Sequence, residues 1–134
     1  MSFPVGNLPP DSVKAYLGNS PGFLNYLING VADPIFVKDR QHRWLLLNDA
    51  FCQFIGYDSS ELIGKSEFEF FPEAEAQGFW EKDEQVFVSG MTIENEECCT
   101  DATGTTKFIS TKRSVFKDSH GNEFLVGTIR DITQ

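Results

Sequence analysis

The sequence predicts an α+β domain: one five-stranded antiparallel sheet with short helices on one face and a further helix towards the N-terminus. Three observations carry this. Apolar residues recur at helical spacing between residues 20 and 90 except across one hairpin-like stretch. From Met91 onward the period changes to two, and turn-forming clusters cut that region into three strands. At 134 residues the chain has the size of one domain with one continuous core.

Residues 1–19 carry Pro4, Pro9, Pro10, Gly6 and Gly18, with only "DSVKAYL" suited to a helical turn, and read as a lead-in to a domain over 20–134. Ser20 and Pro21 then form a helix-start pair, with Phe23, Leu24, Leu27, Ile28 and Val31 on one face. "PIFVKD" and "HRWLLLN", joined by a polar turn, predict a β-hairpin. Asn48 and Asp49 open a helix containing Phe51, Phe54 and Ile55, and Gly56 closes it. After the short turns of 58–72, residues 73–89 form the longest helix, with Ala76, Phe79, Trp80, Val86 and Phe87 on a stripe and Gly90 at its end.

Strands are expected at 92–100, 105–116 and 123–132, separated by "DATG" and "KDSHGN". In the last strand Leu125 and Ile129 point one way, Phe124 and Val126 the other, so both faces carry apolar groups. One face should receive the central helices. The other calls for a second cover, either the 20–31 helix or a partner subunit.

The 13 phenylalanines exceed average usage and fit core filling or the walls of a pocket for a flat ligand. A net charge of −9 repels phosphate backbones and anionic headgroups, which speaks against nucleic-acid and membrane partners. No membrane-span or signal-peptide pattern is present in the sequence, so a cytoplasmic location is expected. Cys52, Cys98 and Cys99 have neither disulfide-framework nor zinc spacing.

The hairpin within "ADPIFVKDRQHRWLLLNDAFCQFIGYDSSELIGKS", the helix closing at "VFVSG" and the terminal G-x-x-R-D-I-T resemble, in order and spacing, a PAS domain. This is the sensor module of many bacterial signalling proteins, and the resemblance spans roughly residues 24–133. It implies that Asp131 and Thr133 anchor the exit of the last strand towards a downstream output domain, a histidine kinase before a cyclic-dinucleotide enzyme. It further implies that the segment is excised from a larger signalling protein.

The family binds haem, flavins, small carboxylates or nothing. A covalent flavin adduct would need a Cys where the sequence has Glu67, and the oxygen-sensing haem versions a His within 73–90, where none occurs. A non-covalent flavin needs only an apolar slot, whose walls Phe51, Phe54, Phe79 and Trp80 could supply. Asp83 shares the long helix's apolar stripe, and Lys112 shares a strand face with Phe108 and Phe116. Because unpaired buried charges are costly, Asp83 and Lys112, with Glu97, are expected to form a cluster that holds helix to sheet or recognises a small polar metabolite.

No nucleophile–base pair, metal spacing or phosphate loop marks an enzyme. His42 and His120 read as exposed turn residues. The function expected is a ligand- or packing-dependent signalling module acting as a homodimer, with a flavin sensor or a ligand-free dimerisation scaffold as alternatives.

Overall fold

The computed structural model describes residues 21–133; the lead-in and the Ser20 cap lie outside that range. Helix α1 (Pro21–Asn29) precedes strands β1 (Ile35–Asp39) and β2 (Trp44–Leu47). Helices α2 (Asp49–Ile55) and α3 (Ser59–Leu62), a 3₁₀ turn (Glu67–Glu69) and helix α4 (Glu73–Ser89) follow. Strands β3 (Ile93–Thr100), β4 (Thr106–Lys117) and β5 (Glu123–Asp131) complete one sheet of order β2-β1-β5-β4-β3 with antiparallel neighbours throughout. The α+β class, the hairpin and the three later strands match the sequence reading, with strand ends displaced by a residue.

Local chemistry explains where the elements start and stop. Asn48 is fully buried, and its Oδ1 accepts from the Phe51 and Ile35 amides at 3.0 and 2.9 Å, capping α2 and holding the start of β1. Its Nδ2 donates to the carbonyls of Ile28 and Asp33 at 3.0 and 2.9 Å, so one side chain ties α1, β1 and α2 together. Helix α2 ends at Gly56 with φ 81°, a left-handed backbone that a β-carbon disfavours.

The core lies between the sheet and helices α2 to α4, with Trp44, Phe51, Leu62, Phe79, Val86 and Leu125 among its buried side chains. At its centre the Phe36 ring lies directly on Gly127 of β5. A β-carbon there would sit 2.1 Å from the ring's Cζ. The two residues are register partners on β1 and β5, so glycine is required by close packing across the strand pair.

The far face of the sheet is open among the described residues. Phe108 and Phe116 are 54% and 46% exposed, and Phe116 stacks on Phe124 with ring centroids 5.3 Å apart. Helix α1 does not supply the expected cover. Its C-terminal end is held at the start of α2, where Asn29 Oδ1 accepts from the Asp49 amide at 2.7 Å, and its Leu24 and Leu27 remain exposed.

Candidate functional site: a buried charge cluster under the sheet

Asp83 lies midway along α4 on the stripe Ala76–Phe79–Asp83–Val86–Phe87, all buried. An ionised carboxylate there is tolerated because two cations meet it from the sheet. Its Oδ2 accepts from Lys38 Nζ of β1 at 2.5 Å, and its Oδ1 accepts from Arg113 Nε of β4 at 2.6 Å. Arg113 also donates through Nη2 to Glu97 Oε2 at 2.8 Å and through Nη1 to Asn95 Oδ1 at 3.2 Å, both on β3. Lys38 has a second ionic partner, Glu67 of the 3₁₀ turn. Asp83 thus joins the long helix to strands on both sides of β5.

The field inside the cluster is uneven. Burial pulls the Lys38 ammonium below its ordinary lysine value, and the attraction of Asp83 only partly offsets this. Burial also works against the Arg113 charge, but Asp83 and Glu97 outweigh it and hold the guanidinium above its ordinary value.

Beside the cluster is a cavity of about 30 Å³, walled by Phe36, Phe51, Phe79 and other core rings and edged by Lys38, Glu67, Glu97, Thr111 and Arg113. Two of these polar groups are incompletely satisfied. Glu67 and Thr111 are each 1% exposed; Oε1 of Glu67 is engaged by the Lys38 ammonium, while its Oε2 and the Thr111 hydroxyl have no partner among the described residues.

Of the residues singled out from sequence, the structure brings Asp83 and Glu97 into the cluster and Phe51 and Phe79 into the cavity wall. Phe54 is half-buried outside that wall, 4.1 Å beneath Lys107 Nζ, and Trp80 stacks on His42 at a centroid distance of 3.6 Å. Lys112 does not join Asp83. It is exposed on the open face, paired in register with Glu94 and Thr128, because the inward residues of β4 are Ile109, Thr111 and Arg113. Phe108 and Phe116 belong to the solvent side, so their company marks the wrong face.

Lys38, Arg113, Glu67 and Thr111 were not read from the sequence as site residues. A signal existed for two of them: Lys38 alternates with Phe36, and Arg113 shares the parity of Ile109 and Val115.

His42 also departs from expectation. It is 1% exposed with φ 63°, held between the Trp80 ring and Glu84, whose Oε1 accepts from Nε2 at 2.9 Å. That assignment leaves Nδ1 as the unprotonated nitrogen, 3.9 Å from Asp83 Oδ2. Desolvation lowers the imidazole below its ordinary 6.5, with Glu84 and Asp83 opposing it and Lys38 reinforcing it. Glu84, bound first by Arg40 and then by His42, is pulled from 4.5 to about 2.

These shifts set the pH dependence. The folded state takes up a proton on His42 less readily than the unfolded chain, so stability is complete above pH 6.5 and declines as pH falls below it. The Glu84 contribution is present above 4.5 and is lost as pH falls towards 2. Urea unfolding midpoints should therefore drop in two stages on acidification, and His42→Gln should flatten the first.

At the other end of β5, the Thr133 amide donates to Asp131 Oδ1 at 2.9 Å, and Thr133 Oγ1 accepts from the Phe108 amide at 2.8 Å. The last described residues are thereby fastened to the edge of β4.

A single antiparallel sheet, helices on one face and a small polar-edged cavity between them define an α+β domain with an internal pocket. A family model described as PAS fold matches residues 28–134, and the chain belongs to that family. It is 30% identical over 111 residues to the uncharacterised protein y4lL of Sinorhizobium fredii, a match covering 81% of this chain and 13% of that protein. It is 38% identical over 56 residues to the virulence sensor protein BvgS of Bordetella pertussis, covering 42% of this chain and 4% of BvgS. The chain thus spans a small fraction of these relatives' length. Among solved structures it resembles the PAS domain of BvgS, with a TM-score of 0.58 and 26% identity over 84% of this chain and 85% of that one. The PAS domain of an HTR-like protein from Haloarcula marismortui gives a TM-score of 0.66 and 25% identity, covering 91% and 99%. The chain is a PAS sensory domain. Among the described residues, no helix is long and apolar enough to cross a membrane, and no group of three or more His, Cys, Asp or Glu side chains is placed to hold a metal ion.

Proposed function

We propose that this domain relays a ligand- or packing-dependent change to a downstream output domain, by altering how α4 is held to the sheet. The observation that carries this reading is the Asp83 bridge between Lys38 and Arg113, on the two strands that flank β5. A ligand that engages the cavity changes the partners of the same cluster, and β5 leads to the Asp131–Thr133 exit. Such a relay needs differential affinity for two packings and no catalysis, so the domain itself is assigned no reaction.

The likeness to a virulence sensor supports a signalling parent, and the family resemblance favours a histidine kinase as its output. The open sheet face, with Phe108 and Phe116 exposed, supports homodimer formation. With a net charge of −9 we assign no nucleic-acid or membrane contact, and a cytoplasmic site of action.

A small polar metabolite suits the cavity better than a flavin, whose ring system would have to open a space of about 30 Å³ several-fold against packed phenylalanines. The aromatic walls keep a non-covalent flavin as the second reading, and a yellow purified protein would favour it. The relay is tested by amide NMR of this chain with a metabolite selected by thermal shift. Perturbation of the Arg130–Thr133 amides together with those of the cavity wall is expected. Changes confined to the wall would contradict the relay.

A further inference from the structure

The chemistry of the cavity restricts what it can accept. Three carboxylates, Asp83, Glu67 and Glu97, share two cations, Lys38 and Arg113, within one buried network. Asp83 uses both oxygens on the cations. Glu97 uses one on Arg113 and accepts from Asn95 Nδ2 at 3.2 Å with the other. Glu67 meets Lys38 through Oε1, so the carboxylate oxygen left with unused acceptor capacity is Glu67 Oε2, on a residue that lines the cavity. The Thr111 hydroxyl, also unpartnered, lines the same space from β4.

The unmet demand at this edge is therefore for a hydrogen-bond donor to Glu67 Oε2 and a partner for the Thr111 hydroxyl, and three carboxylates against two cations favour a positively charged donor. The aromatic walls fit that demand. Lys38 Nζ already lies 5.3 Å from the centroids of both Phe36 and Trp44, so their ring faces are turned towards a cation. An anion would instead meet Glu67 with no free cation to receive it, since Lys38 and Arg113 are each engaged by carboxylates.

We propose that the cavity recognises a small planar organic cation of the imidazolium or amidinium class, which donates one N–H to Glu67 and another to Thr111 between the aromatic walls. This rests on the reading of the cavity as the domain's sensing pocket. A cavity of about 30 Å³ has room for about two water molecules, so the ligand displaces solvent and turns a ring outward rather than filling a preformed chamber. Ligands of a few heavy atoms bind weakly, and affinity in the millimolar range is expected.

The test is an amide NMR titration of the chain at pH 6 with imidazole, which is largely protonated there, against sodium acetate of similar size. Imidazole should shift the amides of Glu67, Ile109 and Thr111 saturably while acetate leaves them unchanged. Glu67→Gln should weaken imidazole about ten-fold, the loss expected for a charge-assisted hydrogen bond. Thr111→Val, which keeps shape on the sheet, provides a second variant and should weaken it several-fold. Acetate binding at the cavity as tightly as imidazole would overturn the ligand class while leaving a ligand-gated module intact. No shift with either probe, or equal imidazole affinity in both variants, would also overturn the class. Imidazole shifts at the cavity without any at Arg130–Thr133 support the ligand class and count against the relay alone.

Discussion

Asp83→Leu is expected to lower the unfolding free energy by about 3–5 kcal/mol, the range for removing one partner of a buried ion pair. The leucine would be accommodated sterically on the apolar stripe of α4, between Phe79 and Val86. The loss arises from the cations left behind. Lys38 and Arg113, both 2% exposed, would keep their desolvation penalty and lose the carboxylate that answers both of them. Glu97 and Glu67 can each retain one cation, which should keep the variant folded if the parent has ordinary domain stability. Urea denaturation followed by tryptophan fluorescence reads the change. Trp80 is on α4 and Trp44 in the core, so helix detachment and global unfolding would both register.

Gly127→Ala is expected to cost about 1–3 kcal/mol although it adds only one methyl group. The backbone at Gly127 is not left-handed, so the penalty is packing rather than conformation. The new carbon would fall 2.1–2.6 Å from three atoms of the Phe36 ring. That ring is 5% exposed and lies against Phe51 with centroids 5.7 Å apart, so it cannot swing aside freely. In a Phe36→Leu background the same substitution should cost distinctly less, because the occluding ring is gone. Equal losses in both backgrounds, measured by denaturant titration, would place the cause elsewhere. Since Phe36 also walls the cavity, Gly127→Ala should disturb binding there as well.

The fold was legible because its signals are local. Asn48 and Gly56 bracket α2, Gly90 closes α4, and the turns before β4 and β5 are rich in Asp, Asn and Gly. The alternation of β3 is also readable from its cysteines, with Cys98 exposed and Cys99 buried. The cluster was legible only in part. A charge on an apolar helical stripe marked Asp83, but the choice of partner depended on which face of β4 turns inward. That choice shifts by a single residue between Lys112 and Arg113, and the open face carries enough phenylalanine to disguise itself as the core side.

Lys38 is only weakly marked: it alternates with Phe36 but stands next to a strand end, and the β1–β5 pairing is what carries the strand far enough to place it under the sheet. Glu67 was noticed for the chemistry it excludes, not as an ionic partner. His42 reads as a solvated turn in the sequence because its burial comes from Trp80 and Glu84, some forty positions away. Local chemistry specified a turn, and tertiary packing determined what the turn residue touches.

If Asp83 and Arg113 act as one unit that clamps the long helix to the sheet, the effects of removing them are not additive. A double-mutant cycle of Asp83→Leu and Arg113→Met, read as unfolding free energies, measures that coupling. The double variant should lose about 2 kcal/mol less than the two single losses added together, because each single change leaves its buried partner with one counter-ion fewer. Losses that add to within about 0.5 kcal/mol would mean that the two residues act independently.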